Sequence, residues 1–249
     1  GSGEAITLAA GIYQYALNTT GGQNYSSTPL IDMQTLTVNK AQSSTSLAFD
    51  KASPQTYGTS ITPTCSVAIG VGTPALTMNG TAITSGNPLT LGAGTYQFNC
   101  SLAESQNYTS SQNTSIFVIN QAVPDLTYYL NGLTQNITLQ YPQKVNASAY
   151  TTGGTMNIFR NGTAVTAENS INITLAVGYH QYEFNATGNQ NYTDVSSKFL
   201  FASVTKGAST VYTYVNNIRS NITIDSGTSI YLNGTLIAGE GPIQLYNNG

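Results

Sequence analysis

Apolar and polar residues alternate along most of this chain, and one alternating stretch recurs. In Gly94-Thr-Tyr-Gln-Phe-Asn-Cys-Ser-Leu-Ala-Glu-Ser-Gln-Asn-Tyr108, Tyr96, Phe98 and Cys100 fall on one side, and Gln97, Asn99 and Ser101 on the other. A period of two predicts a strand with one buried face. An earlier copy sets Tyr13, Tyr15 and Leu17 against Gln14, Ala16 and Asn18. A later one sets His180, Tyr182 and Phe184 against Gln181, Glu183 and Asn185. Gly11, Gly94 and Gly178 open the three strands at predicted turns. Each strand leads into a polar hairpin loop ending in Gln-Asn-Tyr, at Tyr25, Tyr108 and Tyr192. That tyrosine is expected to fold back onto the core.

The copies begin 83 and 84 residues apart, a period of one small domain rather than one turn of a solenoid. Residues 1–40 then form the C-terminal half of a repeat, 41–122 and 123–207 two complete repeats, and 208–249 the N-terminal half of another. The front halves match as well: Leu130-Asn-Gly-Leu-Thr-Gln-Asn136 parallels Val215-Asn-Asn-Ile-Arg-Ser-Asn221, and Met156-Asn-Ile-Phe-Arg-Asn161-Gly parallels Ile243-Gln-Leu-Tyr-Asn-Asn248-Gly. The opening Gly1-Ser-Gly-Glu-Ala-Ile-Thr-Leu8 parallels Ser85-Gly-Asn-Pro-Leu-Thr-Leu91 and reads as repeat sequence. About seven short strands per repeat, with frequent turn signals, predict an all-β fold of tandem antiparallel β-sandwiches in a linear array. Asn79-Gly80 and Asn161-Gly162 are tight hairpin signals. Short linkers (Lys40-Ala-Gln-Ser, Asn120-Gln-Ala-Val-Pro124, Lys206-Gly-Ala) predict modules with limited bending, and Pro124 stiffens one joint. The two half repeats admit two readings: a window on a longer array, or halves that pair between neighbouring chains.

Composition narrows the function. Only 7% of the 249 residues are charged, with a net of −3. No basic patch is available to grip a phosphate backbone, so nucleic acid is not an expected partner. No apolar run reaches membrane-spanning length, so no membrane insertion is expected in this segment. His180 is the sole histidine, and its repeat counterparts are Tyr13 and Tyr96, which makes it a half-buried structural residue. No Ser–His–acid set and no zinc-ligand spacing occurs. Asp50, Asp125, Asp194 and Asp225 stand alone and read as turn residues rather than calcium ligands. Lys51, Lys144 and Lys198 do not recur between repeats, which argues against a repeated isopeptide crosslink. No enzyme activity, cofactor or metal is expected.

Asparagine carries the remaining signal. Asn-x-Ser/Thr occurs 14 times, at Asn18, Asn24, Asn79, Asn99, Asn107, Asn113, Asn136, Asn146, Asn161, Asn172, Asn185, Asn191, Asn221 and Asn233. The composition predicts about 6 by chance. Several recur at equivalent repeat positions, on the motif strand's outward side, in the Gln-Asn-Tyr loop and at the Asn-Gly turn. We read these as candidate N-glycosylation sites, with turn and strand chemistry as the competing account. A sugar coat would supply the solubility that the sparse charges do not.

The pattern Gly-x-Tyr-x-Tyr/Phe, then Gln-Asn-Tyr-Thr/Ser, then a closing strand ending Val-x-Lys/Gln-Ala resembles the tandem bacterial and archaeal immunoglobulin-like repeats of large cell-surface proteins. The resemblance covers both complete repeats and both halves. The family's loop often carries Gly-Asp, whereas this chain has Gly21-Gly-Gln, Glu104-Ser-Gln and Gly188-Asn-Gln, which argues against a loop-bound cation. The sequon density is similar to that of archaeal surface proteins. Cys65 and Cys100, 35 residues apart, resemble the inter-sheet disulfide of immunoglobulin domains. In the next repeat Ala147 and Phe184 fall at those positions, a small residue facing a large one. The alternative is two buried thiols. A disulfide implies an oxidising, extracellular setting.

The resemblance implies a structural module of an extracellular or cell-surface glycosylated stalk or filament. Its partners would be neighbouring repeats or identical chains in a fibre, and N-linked glycans. Two alternatives stand beside it: an adhesin that binds through its Tyr-rich loops, and a filament subunit that polymerises by pairing its two half repeats between chains.

Overall fold

The computed structural model describes residues 4–246, nearly all strand and loop. Among the described residues, 4–122 together with Gln190–Tyr192 form one compact unit, and 123–189 with 193–246 form a second.

The first unit opens with a hairpin of β1 (Gly11–Thr19) and β2 (Thr28–Val38), antiparallel, with Gly11 opposite Val38. A complete immunoglobulin-like sandwich follows: β3 (Ser44–Phe49), β4 (Gln55–Thr56), β5 (Ser60–Ile61), β6 (Pro63–Ile69), β7 (Ala75–Met78), β8 (Thr81–Ile83), β9 (Leu89–Thr90), β10 (Gly94–Leu102) and β11 (Ser111–Asn120). One sheet has the order β4-β11-β10-β7-β8, while β3 pairs β6 and β5 pairs β9. The alternation decides the core. Phe98 and Cys100 of β10 turn inward with Phe117 and Ile119 of β11, against Ile61, Cys65 and Leu76. The Phe49 ring lies edge-on to Phe98 at 5.0 Å and 4.8 Å from Phe117. Cys65 and Cys100 are disulfide-bonded, joining β6 to β10 across the core.

The second unit repeats the plan with β12 (Leu126–Leu130), β13 (Ile137–Gln140), β14 (Lys144–Thr151), β15 (Thr155–Arg160), β16 (Thr163–Ala164), β17 (Asn172–Thr174), β18 (Gly178–Thr187) and β19 (Val195–Thr205). The orders are β13-β19-β18-β15-β16 and β12-β14-β17. Ala147 and Phe184 sit in the same buried cluster with Leu130, Val145, Ile158 and Tyr182. A hairpin of β20 (Thr210–Val215) and β21 (Leu232–Ala238) closes the described chain. The single helical feature among the described residues is a 3₁₀ turn at Thr166–Glu168.

Two features go beyond the sequence reading. The sandwiches are antiparallel except at one edge, where β4 runs parallel to β11 and β13 parallel to β19. The first strand of each repeat is broken, and its second segment crosses to the other sheet. The inward face of the first motif copy is also not buried: Leu17 is 75% exposed, whereas Cys100, its counterpart, is 0% exposed. Front-half strands cover that face in the complete repeats, and the described residues 4–40 contain none.

The Asn-Gly turns form as predicted. Asn79 and Gly80 have φ of 50° and 82°, Asn161 and Gly162 of 50° and 81°, the left-handed pair that matches strand twist. Gly1–Gly3 and the turn at Asn248 lie outside the described residues.

Candidate interaction site at the Gln-Asn-Tyr loop

The repeated motif builds two local structures. The first is a corner before the motif strand. Tyr13 Oη donates to Ala9 O at 2.8 Å, and Tyr96 Oη to Gly92 O at 2.9 Å. His180 Nε2 lies 2.9 Å from Ala176 O, in the same i to i−4 relation. The arrangement is similar to the tyrosine corner of immunoglobulin-like sandwiches, in which a ring near the start of a strand ties down the preceding turn, although Tyr96 precedes Cys100 by four residues rather than two. It accounts for the lone histidine as a structural substitute for tyrosine.

The corner leaves the next residue's backbone N–H and C=O facing outward, and the Gln-Asn-Tyr loop meets them. Ala10 N donates to Asn107 Oδ1 at 2.9 Å, and Gln106 Nε2 donates to Ala10 O at 2.8 Å. Ala93 N donates to Asn191 Oδ1 at 2.9 Å, and Gln190 Nε2 donates to Ala93 O at 3.4 Å. A two-point amide clasp thus joins each loop to a corner almost a hundred residues earlier, twice over. Ala10 and Ala93 are 8% and 9% exposed, so each N–H would lack a good partner without the asparagine.

The linkers complete the arrangement. Ala41 N donates to Asn107 O at 2.8 Å, and Thr109 N donates back to Ala41 O at 2.9 Å. Ala122 N donates to Asn191 O at 3.0 Å. Lys40 and Glu104 pair at 3.1 Å, but both are partly solvated, so this pair adds little.

The tyrosines end differently from the sequence expectation. Tyr192 packs edge-on against Tyr57, ring centroids 5.3 Å apart, and its loop clusters with residues 1–122 rather than with the strands that flank it. Tyr25 is 84% exposed. The loop reaches toward an adjoining repeat rather than back onto its own core. The sequence offers only the constant distance from the Gly that opens each motif strand to Gln-Asn; the residue before that Gly is Ala10, Ala93 and Val177 in turn and names no partner.

The sequon asparagines fall into two groups. Asn18, Asn24, Asn79, Asn107, Asn113, Asn136, Asn161, Asn172, Asn221 and Asn233 are exposed. Asn99, Asn146, Asn185 and Asn191 are half-buried. Asn146 Nδ2 is spent on Asn172 Oδ1 at 3.2 Å, and Asn185 Nδ2 faces Glu183 and Ser197. The motif strand's outward side is therefore less open at Asn99 and Asn185 than alternation suggested. At the turns, Asn79 and Asn161 Oδ1 accept from Gln97 N and Gln181 N at 2.9 and 2.8 Å. Asn131 and Asn216 repeat this device on Asn146 N and Tyr231 N.

Ionisable groups act locally. Asp50 accepts from Thr62 N at 2.6 Å, which, with Lys51 beside it, holds its pKa below the usual carboxylate value. Asp194 caps Gly188 N at 2.7 Å. Arg160 and Glu168 form a two-point pair that raises the arginine's pKa, and burial raises that of Tyr182 beneath it. Neither Arg160 nor Glu168 has a charged counterpart at the equivalent place in the 41–122 repeat. Among the described residues no three His, Cys, Asp or Glu side chains gather as a metal site, and no helix is long and apolar enough to cross a membrane.

No protein-family model matches the chain, and no curated protein does. Among solved structures it is similar to the fibronectin(III)-like modules of Clostridium thermocellum CbhA, at 14% identity over 65% of this chain and 95% of that one, TM-score 0.27. It is similar to the N-terminal eight immunoglobulin domains of Down Syndrome Cell Adhesion Molecule, at 13% identity over 82% of this chain and 28% of that one, TM-score 0.25. A third likeness is to Bacteroides ovatus SGBP-B in complex with a mixed-linkage heptasaccharide, at 10% identity over 66% and 71%, TM-score 0.21.

Proposed function

We propose that this chain is a structural segment of an extracellular, N-glycosylated stalk or filament, with no catalytic role. The observation that carries the reading is the duplicated clasp. Gln106-Asn107 and Gln190-Asn191 spend their side chains on Ala10 and Ala93, so two of the three copies of the motif serve contact between repeats. An adhesin would keep its recurrent loop free for ligand, yet Tyr192 is packed on Tyr57 and Tyr108 is half-buried. The disulfide suits an oxidising compartment. The excess of exposed sequons suits a surface that meets water through sugars.

The test is made on cells that produce the chain. Immunogold labelling with antibody against residues 41–122 should decorate projections on intact cells, and glycopeptide mapping should find occupancy among the ten exposed asparagines. Label only in lysed cells, or unmodified asparagine throughout, would overturn the reading.

A further inference from the structure

We propose that Asn136 carries an N-linked glycan whose first pyranose packs on the Tyr179–Phe201 ring pair. The inference rests on the reading that exposed sequons of this chain are glycosylated, and it gives one of those sugars a seat on the protein.

Two large rings stand together on the outward face of the second unit's five-stranded sheet. Tyr182, Phe184, Leu200, Ala202 and Val204 of β18 and β19 are buried, so alternation turns Tyr179 and Phe201 to the opposite face. Their centroids are 5.0 Å apart and their planes 20° from parallel. Tyr179 is 64% exposed, and Phe199 on the same face is 47% exposed. Leaving such area in water costs free energy, and a cluster of this kind marks a contact surface. The fold does not require the pair. In the 41–122 repeat, Thr95 takes the place of Tyr179, and Ile116, opposite Gln97, takes that of Phe201, opposite Gln181.

The sequon lies beside the rings. Asn136 immediately precedes edge strand β13, and its Oδ1 accepts from Phe201 N at 3.0 Å. Ile137 lies opposite Ala202 and packs on the core, so Asn136 and Thr138 turn to the face that bears the rings. Both are exposed. The hydrogen bond holds the amide by its oxygen. Among the described residues Asn136 Nδ2 donates to no protein group, whereas Asn146 and Asn185 spend theirs. In the 41–122 repeat β4 stands in place of β13, and the registers put Ala52 and Pro54 where Asn136 and Thr138 are. Rings and sequon are therefore both present in one complete repeat and both missing from the other.

A pyranose suits this seat. One face of its ring carries weakly positive C–H groups, which complement the negative face of an aromatic ring. Gln181, directly opposite Phe201, has an exposed amide to offer the sugar's hydroxyl or acetamido groups. The linkage needs an activated glycosyl phosphate donor. Nδ2 bonds to the anomeric carbon, the bond from that carbon to the phosphate oxygen breaks with its electron pair leaving on phosphate, and the released phosphate takes up one Nδ2 proton.

The experiment uses the chain purified from the cells that make it, as wild type and as Thr138→Ala, Asn136→Asp and Thr138→Ser. Peptide mapping reads occupancy at Asn136. Nitration by tetranitromethane, followed peptide by peptide, reads access to Tyr179, with Tyr150, 66% exposed on the other sheet, as internal reference. Asn136 should be occupied in wild type. Tyr179 should nitrate roughly three- to tenfold faster in Thr138→Ala and Asn136→Asp, with Tyr150 unchanged. Asn136→Asp keeps an oxygen for Phe201 N, and Thr138→Ser keeps the sequon and should nitrate as wild type does. A bare Asn136 overturns the inference. So does an occupied Asn136 with equal Tyr179 reactivity in all four chains, whether fast, which leaves the rings uncovered, or slow, which gives them another partner. A bare Asn136 beside occupied sequons elsewhere leaves the proposed function standing, so the two failures are distinguishable.

Discussion

The clasp makes a quantitative claim about one backbone hydrogen. The Ala10 N–H is buried, and Asn107 Oδ1, 2.9 Å away, is its acceptor. Replacing Asn107 by Ala removes that acceptor and leaves room for water to approach only partly. A neutral hydrogen bond of this kind is worth about 1–1.4 kcal/mol, which corresponds to roughly 5–10-fold faster local opening. The exposed Lys40–Glu104 pair contributes less than about 1 kcal/mol and does not touch Ala10, so Lys40→Ala should leave its exchange unchanged.

Hydrogen exchange read by NMR at single amides measures this directly. Ala10 should exchange about 5–10 times faster in Asn107→Ala, while Ala93, held by Asn191, should keep its wild-type rate. Asn107→Asp retains an oxygen at the accepting position and should restore most of the protection. Thr109→Ala destroys the sequon but keeps the asparagine, and Thr109 meets Ala41 through backbone alone. It should leave Ala10 protected. Unchanged exchange at Ala10 in Asn107→Ala would refute the clasp, and equal acceleration by Thr109→Ala would assign the protection to a glycan instead.

Two further outcomes are expected. Removing the Cys65–Cys100 disulfide, which spans a separation of 35 residues, should cost the 41–122 sandwich about 3.5–4 kcal/mol in a calorimetric scan and leave the 123–207 transition, built on Ala147 and Phe184, in place. Asp50 is favoured in its ionised form by the Thr62 N–H and by Lys51, so its contribution is present above about pH 4 and lost as pH falls through its lowered pKa. Melting temperatures between about pH 2 and 7 should therefore show a shallower acid decline in Asp50→Asn than in wild type.

Much of the sandwich was legible because strand burial is written in side chains. Tyr182 and Phe184, Phe98 and Cys100 alternate with polar neighbours, and all four are buried. The Asn-Gly turns were legible for the same reason, since few residues other than asparagine and glycine accept a left-handed backbone. The parallel edge was not, because β4 and β13 are short and pair through backbone groups that any residue offers. The clasp escaped the sequence reading on that ground too. Its donors and acceptors on Ala10 and Ala93 are main-chain atoms, so nothing in those residues' identity announces a partner. The exposed face of β1 was misjudged because alternation reports which side of a strand is apolar, not whether anything covers it.

The Gln-Asn-Tyr-Thr/Ser signature carries two meanings on different atoms of one side chain. The clasp uses Asn107 Oδ1, and a glycan would attach at Nδ2, so protein contact and modification do not compete for the same atom. The clasp explains why glutamine precedes asparagine, since each supplies one half of a donor–acceptor pair for one peptide unit. It does not explain the hydroxyl residue two positions on. Thr109 joins the junction through its backbone N–H and C=O, with Ala41 and Ser43, and its side-chain hydroxyl takes no part in those bonds. Alanine would serve the clasp equally well. A hydroxyl at Ser26, Thr109 and Thr193 alike is what a glycosylation acceptor requires, so the residue that the packing leaves unexplained is the one that favours the sugar.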